Sequence, residues 1–236
     1  MAKMPTLREM LNAGVHFGHK TSRWHPKMDE YVFMAKNGVH VINLEKTAME
    51  LEKAVEFLKQ IASEGKTVVF VGTKKQASTI VKKAAISCGM PYIDSRWVGG
   101  TLTNFETIKS AVGRFQSRRE DLEKEDGKLS KKELSKLRDK TEKGERLFGG
   151  ITGLTKKPDA FILIGAHDEK NALHEANLDN IPVVALVDTN TDPTLIDYPI
   201  PANDDATKSI ELFANLFAQV IKENKGLAVK KELPES

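Results

Sequence analysis

The chain has 236 residues, one cysteine (Cys88), 40% hydrophobic and 29% charged residues, and a formal net charge of only +3. This composition excludes a wholly disordered chain, a disulfide framework and a cysteine-rich zinc site. No apolar run approaches the roughly 18 residues of a membrane span and the first residues lack the apolar core of a signal peptide, so we expect a cytoplasmic protein without a membrane partner.

The N-terminal segment predicts one short helix followed by irregular chain. Thr6-Leu7-Arg8-Glu9 fits a capping box, in which the Thr hydroxyl and the Glu carboxylate satisfy free amides of the first helical turn. Gly14 ends that run. From residue 15 to residue 38 no period of 2 or 3.6 holds, so residues 1–38 are predicted to be a loop-rich N-terminal extension.

Strands and helices then alternate. Apolar runs predict strands over 39–44, 66–71, 91–94, 159–164, 182–187 and 198–200. Amphipathic patterns predict helices over 47–63, 76–87, 169–177 and 205–223, the first opened by a capping box from Thr47 to Glu50. This rhythm predicts an α/β fold with a doubly wound, mainly parallel sheet of the Rossmann or flavodoxin-like type.

Residues 103–148 interrupt the alternation. Ile108, Val112, Phe115, Leu122 and Leu129 follow the spacing of a coiled-coil seam. Residues 125–127 would reverse the chain, and a capping box from Ser130 to Glu133 would start the return helix. We therefore predict an inserted antiparallel coiled-coil helical hairpin over 103–148, an α/β domain over 1–102 plus 149–225, and a flexible tail over 226–236.

Enzymatic alternatives receive little support from the motifs. The turn that begins at Gly72 fits neither the P-loop nor the dinucleotide glycine template, which disfavours a nucleotide-dependent enzyme. His16 and His19 lack the intervening glutamate of a hydrolytic zinc motif. Asp188, Asp204 and Asp205 lie at predicted strand ends and would converge. Two interpretations stay open for them: a helix cap at Asp204 or Asp205, or a cation shared with Asp188 and His19.

The charge distribution indicates a polyanion partner. Residues 1–150 hold 28 basic and 19 acidic side chains (+9), whereas residues 151–236 hold 8 and 14 (−6). Both tryptophans, Trp24 and Trp97, follow an arginine, and exposed indoles can stack on bases while Lys and Arg neutralise phosphates. The competing interpretation is that each tryptophan is buried beside a loop.

Several sequence blocks together resemble the bacterial small-subunit ribosomal protein S-two family. They are AGVHFGH (13–19), RWHPKM (23–28), NGVH (37–40), FVGTK (70–74), RWVGGTLTNF (96–105), PDA (158–160), IPV (181–183), VDTN (187–190) and NDDA (203–206). These blocks occur in the family's order over about residues 5–215.

The resemblance implies a non-enzymatic structural constituent of the small ribosomal subunit that supports translation, with no required cofactor, small-molecule substrate or homo-oligomer. The expected partners are small-subunit rRNA, neighbouring ribosomal proteins and the large mRNA-binding protein S-one. The expected rRNA-binding residues are Lys20, Arg23, Trp24, His25, Lys27, Lys36, Lys74, Lys75, Arg96, Trp97, Asn104, Lys109, Arg114 and Arg118. The resemblance also implies a single divalent metal, zinc or magnesium, held by His19, Asp188, Asp204 and Asp205. A docking module outside the ribosome stays an alternative.

Two positions depart from the family pattern. Gly165 stands where the family usually has an aspartate, which would weaken any metal or partner that this aspartate supports. Asn180 replaces a usual glycine, and asparagine tolerates a left-handed turn conformation.

Overall fold

The computed structural model describes residues 2–124, 130–225 and 227. Its α-helices are α1 (Leu7–Asn12), α2 (Leu44–Ser63), α3 (Lys75–Cys88), α4 (Phe105–Glu123), α5 (Lys131–Phe148), α6 (Lys170–Leu178) and α7 (Thr207–Asn224). Its strands are β1 (Phe17–Lys20), β2 (Val32–Lys36), β3 (Val39–Ile42), β4 (Val68–Val71), β5 (Tyr92–Ile93), β6 (Ala160–Ile164), β7 (Val183–Val187) and β8 (Tyr198–Pro201). None of the helices described is long and apolar enough to cross a membrane.

Five parallel strands form the central sheet in the order β5-β4-β6-β7-β8, which confirms the predicted flavodoxin-like α/β fold. The side chains of each strand point alternately to the two faces of the sheet, where they join two separate hydrophobic cores. In β4, Phe70 packs with α2, α3 and α7, whereas Val69 packs on the other face with Trp97 and α6. Because both faces are covered, β4, β6 and β7 are buried at every position.

The loop-rich prediction for residues 1–38 is wrong, because this segment contains two strands of a second, three-stranded antiparallel sheet in the order β1-β3-β2. Residues 39–44, expected in the parallel sheet, instead supply its middle strand, β3. The strands are four or five residues long and register shifts interrupt both pairings, so no alternation of apolar residues develops. The one available signal is Asn37-Gly38, which joins β2 to β3 with positive φ angles of 53° and 75°, the typical two-residue hairpin turn.

Two predicted helix caps are also wrong. Helix α2 starts at Leu44 rather than residue 47, because the Asn43 side chain accepts hydrogen bonds from the amides of Glu45 and Lys46. Thr47 lies inside the helix, where its hydroxyl donates to the carbonyl oxygen of Pro201, 2.6 Å away. Helix α7 has Ala206 at its N-cap with no side-chain cap, so neither Asp204 nor Asp205 caps it.

The other two predicted capping boxes are confirmed, at Thr6–Glu9 of α1 and Ser130–Glu133 of α5. The predicted left-handed conformation of Asn180 is confirmed as well, with a φ of 53°.

Helices α4 and α5 follow β5 and pack against one another before the chain returns to the sheet at β6. Ile108, Val112 and Phe115 are buried on α4, and the ring of Phe115 lies so close to Gly144 of α5 that a Cβ there would be 2.3 Å from Phe115 Cδ2. The predicted reversal at 125–127 and Leu129 lie outside the described residues. The coiled-coil hairpin and the domain boundaries therefore stay predictions.

Candidate nucleic-acid interface

The small N-terminal sheet rests on the loop that follows β7. The amide of His19 donates to Thr189 Oγ1 (2.9 Å), and the amide of His25 donates to the Thr189 carbonyl oxygen (2.8 Å). A Cβ at Gly18 would lie 2.6 Å from Thr189 Cγ2, so the contact requires glycine at this position. The basic and aromatic residues 20–27 are thereby fixed beside the carboxyl edge of the parallel sheet.

At this edge His19 joins two of the predicted acidic residues. Its Nδ1 lies 3.0 Å from Asp188 Oδ1 and its Nε2 lies 3.4 Å from Asp205 Oδ2. The hydrogen bond to Asp188 raises the pKa of His19, and the negative charges of the surrounding aspartates outweigh the opposing effect of burial. The imidazolium form can donate to both carboxylates at once.

Lys74, which follows β4, occupies the centre of the acidic group. Its Nζ lies 2.6 Å from Asp204 Oδ1, 3.0 Å from Asp205 Oδ1 and 3.0 Å from Asp168 Oδ2. Burial would lower the pKa of Lys74, but the facing carboxylates raise it above its usual value. Asp204 is fully buried, which raises its pKa to about 7, and its Oδ2 has no hydrogen-bond partner among the residues described.

The four predicted metal ligands do converge, but they do not fit a metal as arranged. Both ring nitrogens of His19 face carboxylates, and the lysine ammonium takes one oxygen each of Asp204 and Asp205. No group of three or more His, Cys, Asp or Glu side chains within the described ranges is placed to hold a metal ion. Lys74 therefore supplies a positive charge of the chain itself at the centre of this cluster.

Gly165 shows why a further aspartate would sit poorly here. Its φ is +87°, and a Cβ would lie 3.0 Å from Lys74 Cε and 3.1 Å from Asp204 Oδ2. An added carboxylate would therefore crowd an aspartate oxygen that already lacks a partner. Asp168, three residues later, supplies the extra carboxylate to Lys74 instead.

The structure corrects the prediction that Trp97 stacks on bases. Trp97 is only 7% exposed, packs edge-to-face on Phe161, and donates its indole N–H to Glu175 Oε1 at 2.8 Å. Trp24 is half-buried against the His40 ring. The buried alternative therefore holds for Trp97.

Glu175 holds the whole segment from Trp97 to Thr103 in place. Besides the indole, its carboxylate accepts from the amides of Gly100 (2.8 Å), Leu102 (2.9 Å) and Thr103 (3.2 Å), and from the Thr103 hydroxyl (3.3 Å). Burial acts to raise the pKa of Glu175, but these hydrogen bonds together lower it. Sequence reasoning missed this residue, although an acidic side chain on the inner face of α6, beside Ala172 and Ala176, was the available signal.

Most of the predicted cations are free to bind an anion. Lys27 is paired with Asp192 at 2.8 Å, and Lys74 is enclosed by three aspartates, so both already have acidic partners. Within the described ranges the other basic side chains of the set make no ion pair; they are Lys20, Arg23, Lys36, Lys75, Arg96, Lys109, Arg114 and Arg118. All of these are exposed except Arg118, which is half-buried, and Asn104 is exposed as well.

Comparison with known proteins agrees with the fold and the motifs. Residues 10–224 match the family model described as Ribosomal protein S2. The chain is 48% identical over 227 residues to the "Small ribosomal subunit protein uS2" of Dictyoglomus thermophilum, covering 95% of this chain and 92% of that protein. It is 47% identical over 221 residues to the protein of the same name from Petrotoga mobilis, covering 93% and 77%.

Proposed function

Since the chain belongs to the ribosomal protein S2 family, we propose that its exposed, unpaired cations contact the phosphate backbone of small-subunit rRNA. Members of this family are structural components of the small ribosomal subunit and serve translation, and they are not enzymes. The protein therefore has rRNA and other ribosomal proteins as its partners.

The observation that carries the proposal is that eight of the ten predicted basic residues lack an ion pair among the described residues. A lysine or arginine already paired with a carboxylate gains little from a phosphate, because it must first give up that carboxylate. Unpaired cations release counterions when they bind and account for affinity that does not depend on base sequence. The proposed surface comprises the N-terminal sheet, the Arg96–Asn104 segment and the exposed side of α4.

Binding to small-subunit rRNA at several salt concentrations tests this proposal. In the variant R23Q/K36Q, two unpaired cations are lost, and the slope of log affinity against log salt should fall by about 2. The matched variant K53Q/K59Q removes the same charge from α2, where both lysines are paired with glutamates, and should leave the slope unchanged. Wild-type protein that binds this rRNA weakly and without salt dependence would refute the proposal.

Two narrower expectations rest on the resemblance alone. We propose that the large mRNA-binding protein S-one is among the neighbours and that the protein works in cytoplasmic ribosomes.

For the cation site we propose that Lys74 takes the place of a divalent metal, because its ammonium already contacts Asp168, Asp204 and Asp205.

A further inference from the structure

Helix α3 differs from every other α-helix in the described residues, because it contains no acidic residue. Its sequence, KQASTIVKKAAISC, carries three lysines, Lys75, Lys82 and Lys83. The other helices all include at least one glutamate. The positive charge of α3 is therefore not compensated within the helix itself.

The three lysines share one exposed face. The opposite face, with Ala77, Val81 and Ala84, is buried in the core beside α7. At about 100° and 1.5 Å per residue, the exposed side chains fall within an arc of about 140° and extend over roughly 18 Å of the axis. They are Lys75, Gln76, Thr79, Lys82, Lys83, Ile86 and Ser87; Ile86 is the only large apolar side chain among them.

No carboxylate of the described residues lies within ion-pair distance of these lysines. Lys82 lies over the Tyr92 ring, 5.6 Å from its centre, which leaves its charge unneutralised. Further cations lie beyond both ends of the helix. At the N-terminal end Arg23 and Lys75 line a cleft of about 780 Å³, whose lining also includes Asp168 and Asp205 paired with Lys74. At the C-terminal end Lys225 donates to the carbonyl oxygens of Cys88 and Gly89.

We infer that this outer face of α3 is a second rRNA docking surface, of which the sequence predicted only Lys75. The inference rests on the proposed function, from which rRNA is taken as the polyanion that this face binds. Lys75 lies about 10–12 Å along the helix from Lys82 and Lys83, so one helix face can contact phosphates at separate points of a backbone. The face has lysines and no arginine, which suits point-charge contact with phosphates rather than bidentate recognition of bases. A single exposed isoleucine is too small an apolar surface for a hydrophobic protein interface.

The test compares the variant K75Q/K82Q/K83Q with wild type and with K53Q/K59Q/K157Q. The control removes the same charge from lysines that are paired with Glu50, Glu56 and Asp179. If three phosphate contacts are lost, the α3 variant should show a salt slope lower by up to about 3. Wild-type affinity should then fall by up to about 60-fold more than that of the variant between 50 and 200 mM salt. The variant K75R/K82R/K83R should restore binding, and equal thermal unfolding of all variants shows that folding is intact.

The outcomes separate the two proposals. If wild type and control bind with a steep slope and the α3 variant matches them, the docking surface is refuted and the proposed function stands. If wild type itself does not bind small-subunit rRNA, the proposed function fails and this inference fails with it. If the α3 variant binds free rRNA normally but does not enter small subunits, the face docks on an acidic protein, which also overturns the inference.

Discussion

Replacing Glu175 with glutamine should destabilise the protein and loosen the Arg96–Asn104 segment. The carboxylate accepts five hydrogen bonds, and three of them, from the amides of Leu102 and Thr103 and from the Thr103 hydroxyl, go to Oε2. In E175Q one side-chain oxygen can keep the bonds from Trp97 and Gly100. The amide nitrogen then faces two backbone donors, and Leu102 is fully buried.

The magnitude follows from the lost bonds. A buried donor left without an acceptor costs about 1–3 kcal/mol; the Leu102 amide is fully buried and the Thr103 amide partly so, which together imply a loss of about 3 kcal/mol in the free energy of unfolding. For a chain of this length that corresponds to a Tm lower by about 6–12 °C. Thermal and urea unfolding followed by circular dichroism would measure it. The exposed Glu211 of α7 provides the control E211Q, expected to stay within about 0.5 kcal/mol of wild type.

The pH dependence gives a second, independent measurement of the same contact. Because the folded state lowers the pKa of Glu175 below its usual 4.5, its contribution is present above about pH 4.5 and is lost as the pH falls through the folded pKa. The difference in unfolding free energy between wild type and E175Q should therefore shrink in acid. An E175Q protein as stable as E211Q at neutral pH would refute the reasoning.

The remaining predictions concern the α4–α5 contact and the cation cluster. G144A should lose about 1–3 kcal/mol in urea unfolding, because the new Cβ would overlap the buried Phe115 ring. G113A, on α4 with nothing within 4 Å of the new Cβ, should gain up to about 1 kcal/mol; equal stability of the two variants would contradict the described packing. Dialysis against a chelator should leave the Tm unchanged and elemental analysis should find no stoichiometric zinc, because the Lys74 ammonium already contacts Asp204 and Asp205; a chelator-dependent Tm would argue for a bound metal.

The family and the parallel sheet could both be predicted from the sequence, because their signals are local. Continuous apolar runs such as 160–164 and 183–187 indicate strands covered on two faces, and their alternation with amphipathic helices leaves few topologies. The same local reading failed for residues 17–42, whose strands are too short and irregular to alternate. There only the Asn37-Gly38 turn carried a signal.

The candidate site was predicted as a set of residues, but its chemistry depended on the tertiary structure. The sequence placed Asp188 and Asp204 together, because carboxyl ends of parallel strands share one edge, and the family resemblance added His19. It did not indicate that Lys74, 130 residues before Asp204 in the chain, would point into the same group and supply a cation. The sequence gives the sign of each charge, whereas the ion pairs depend on distances between residues in the folded chain.

Which of the predicted RNA-binding residues are exposed also depended on the tertiary structure. Trp24 and Trp97 each follow an arginine and were equivalent in sequence, yet Trp97 is held inside by Glu175 while Trp24 stays half-exposed. Of the three lysines of α3 only Lys75 was expected to bind rRNA, and only the packing of the helix's other face against the core shows that all three share one exposed surface. The sequence by itself thus determined the fold family and the kinds of charge present. The tertiary structure decided which charges are already neutralised and which remain available to RNA, because that depends on neighbours distant along the chain.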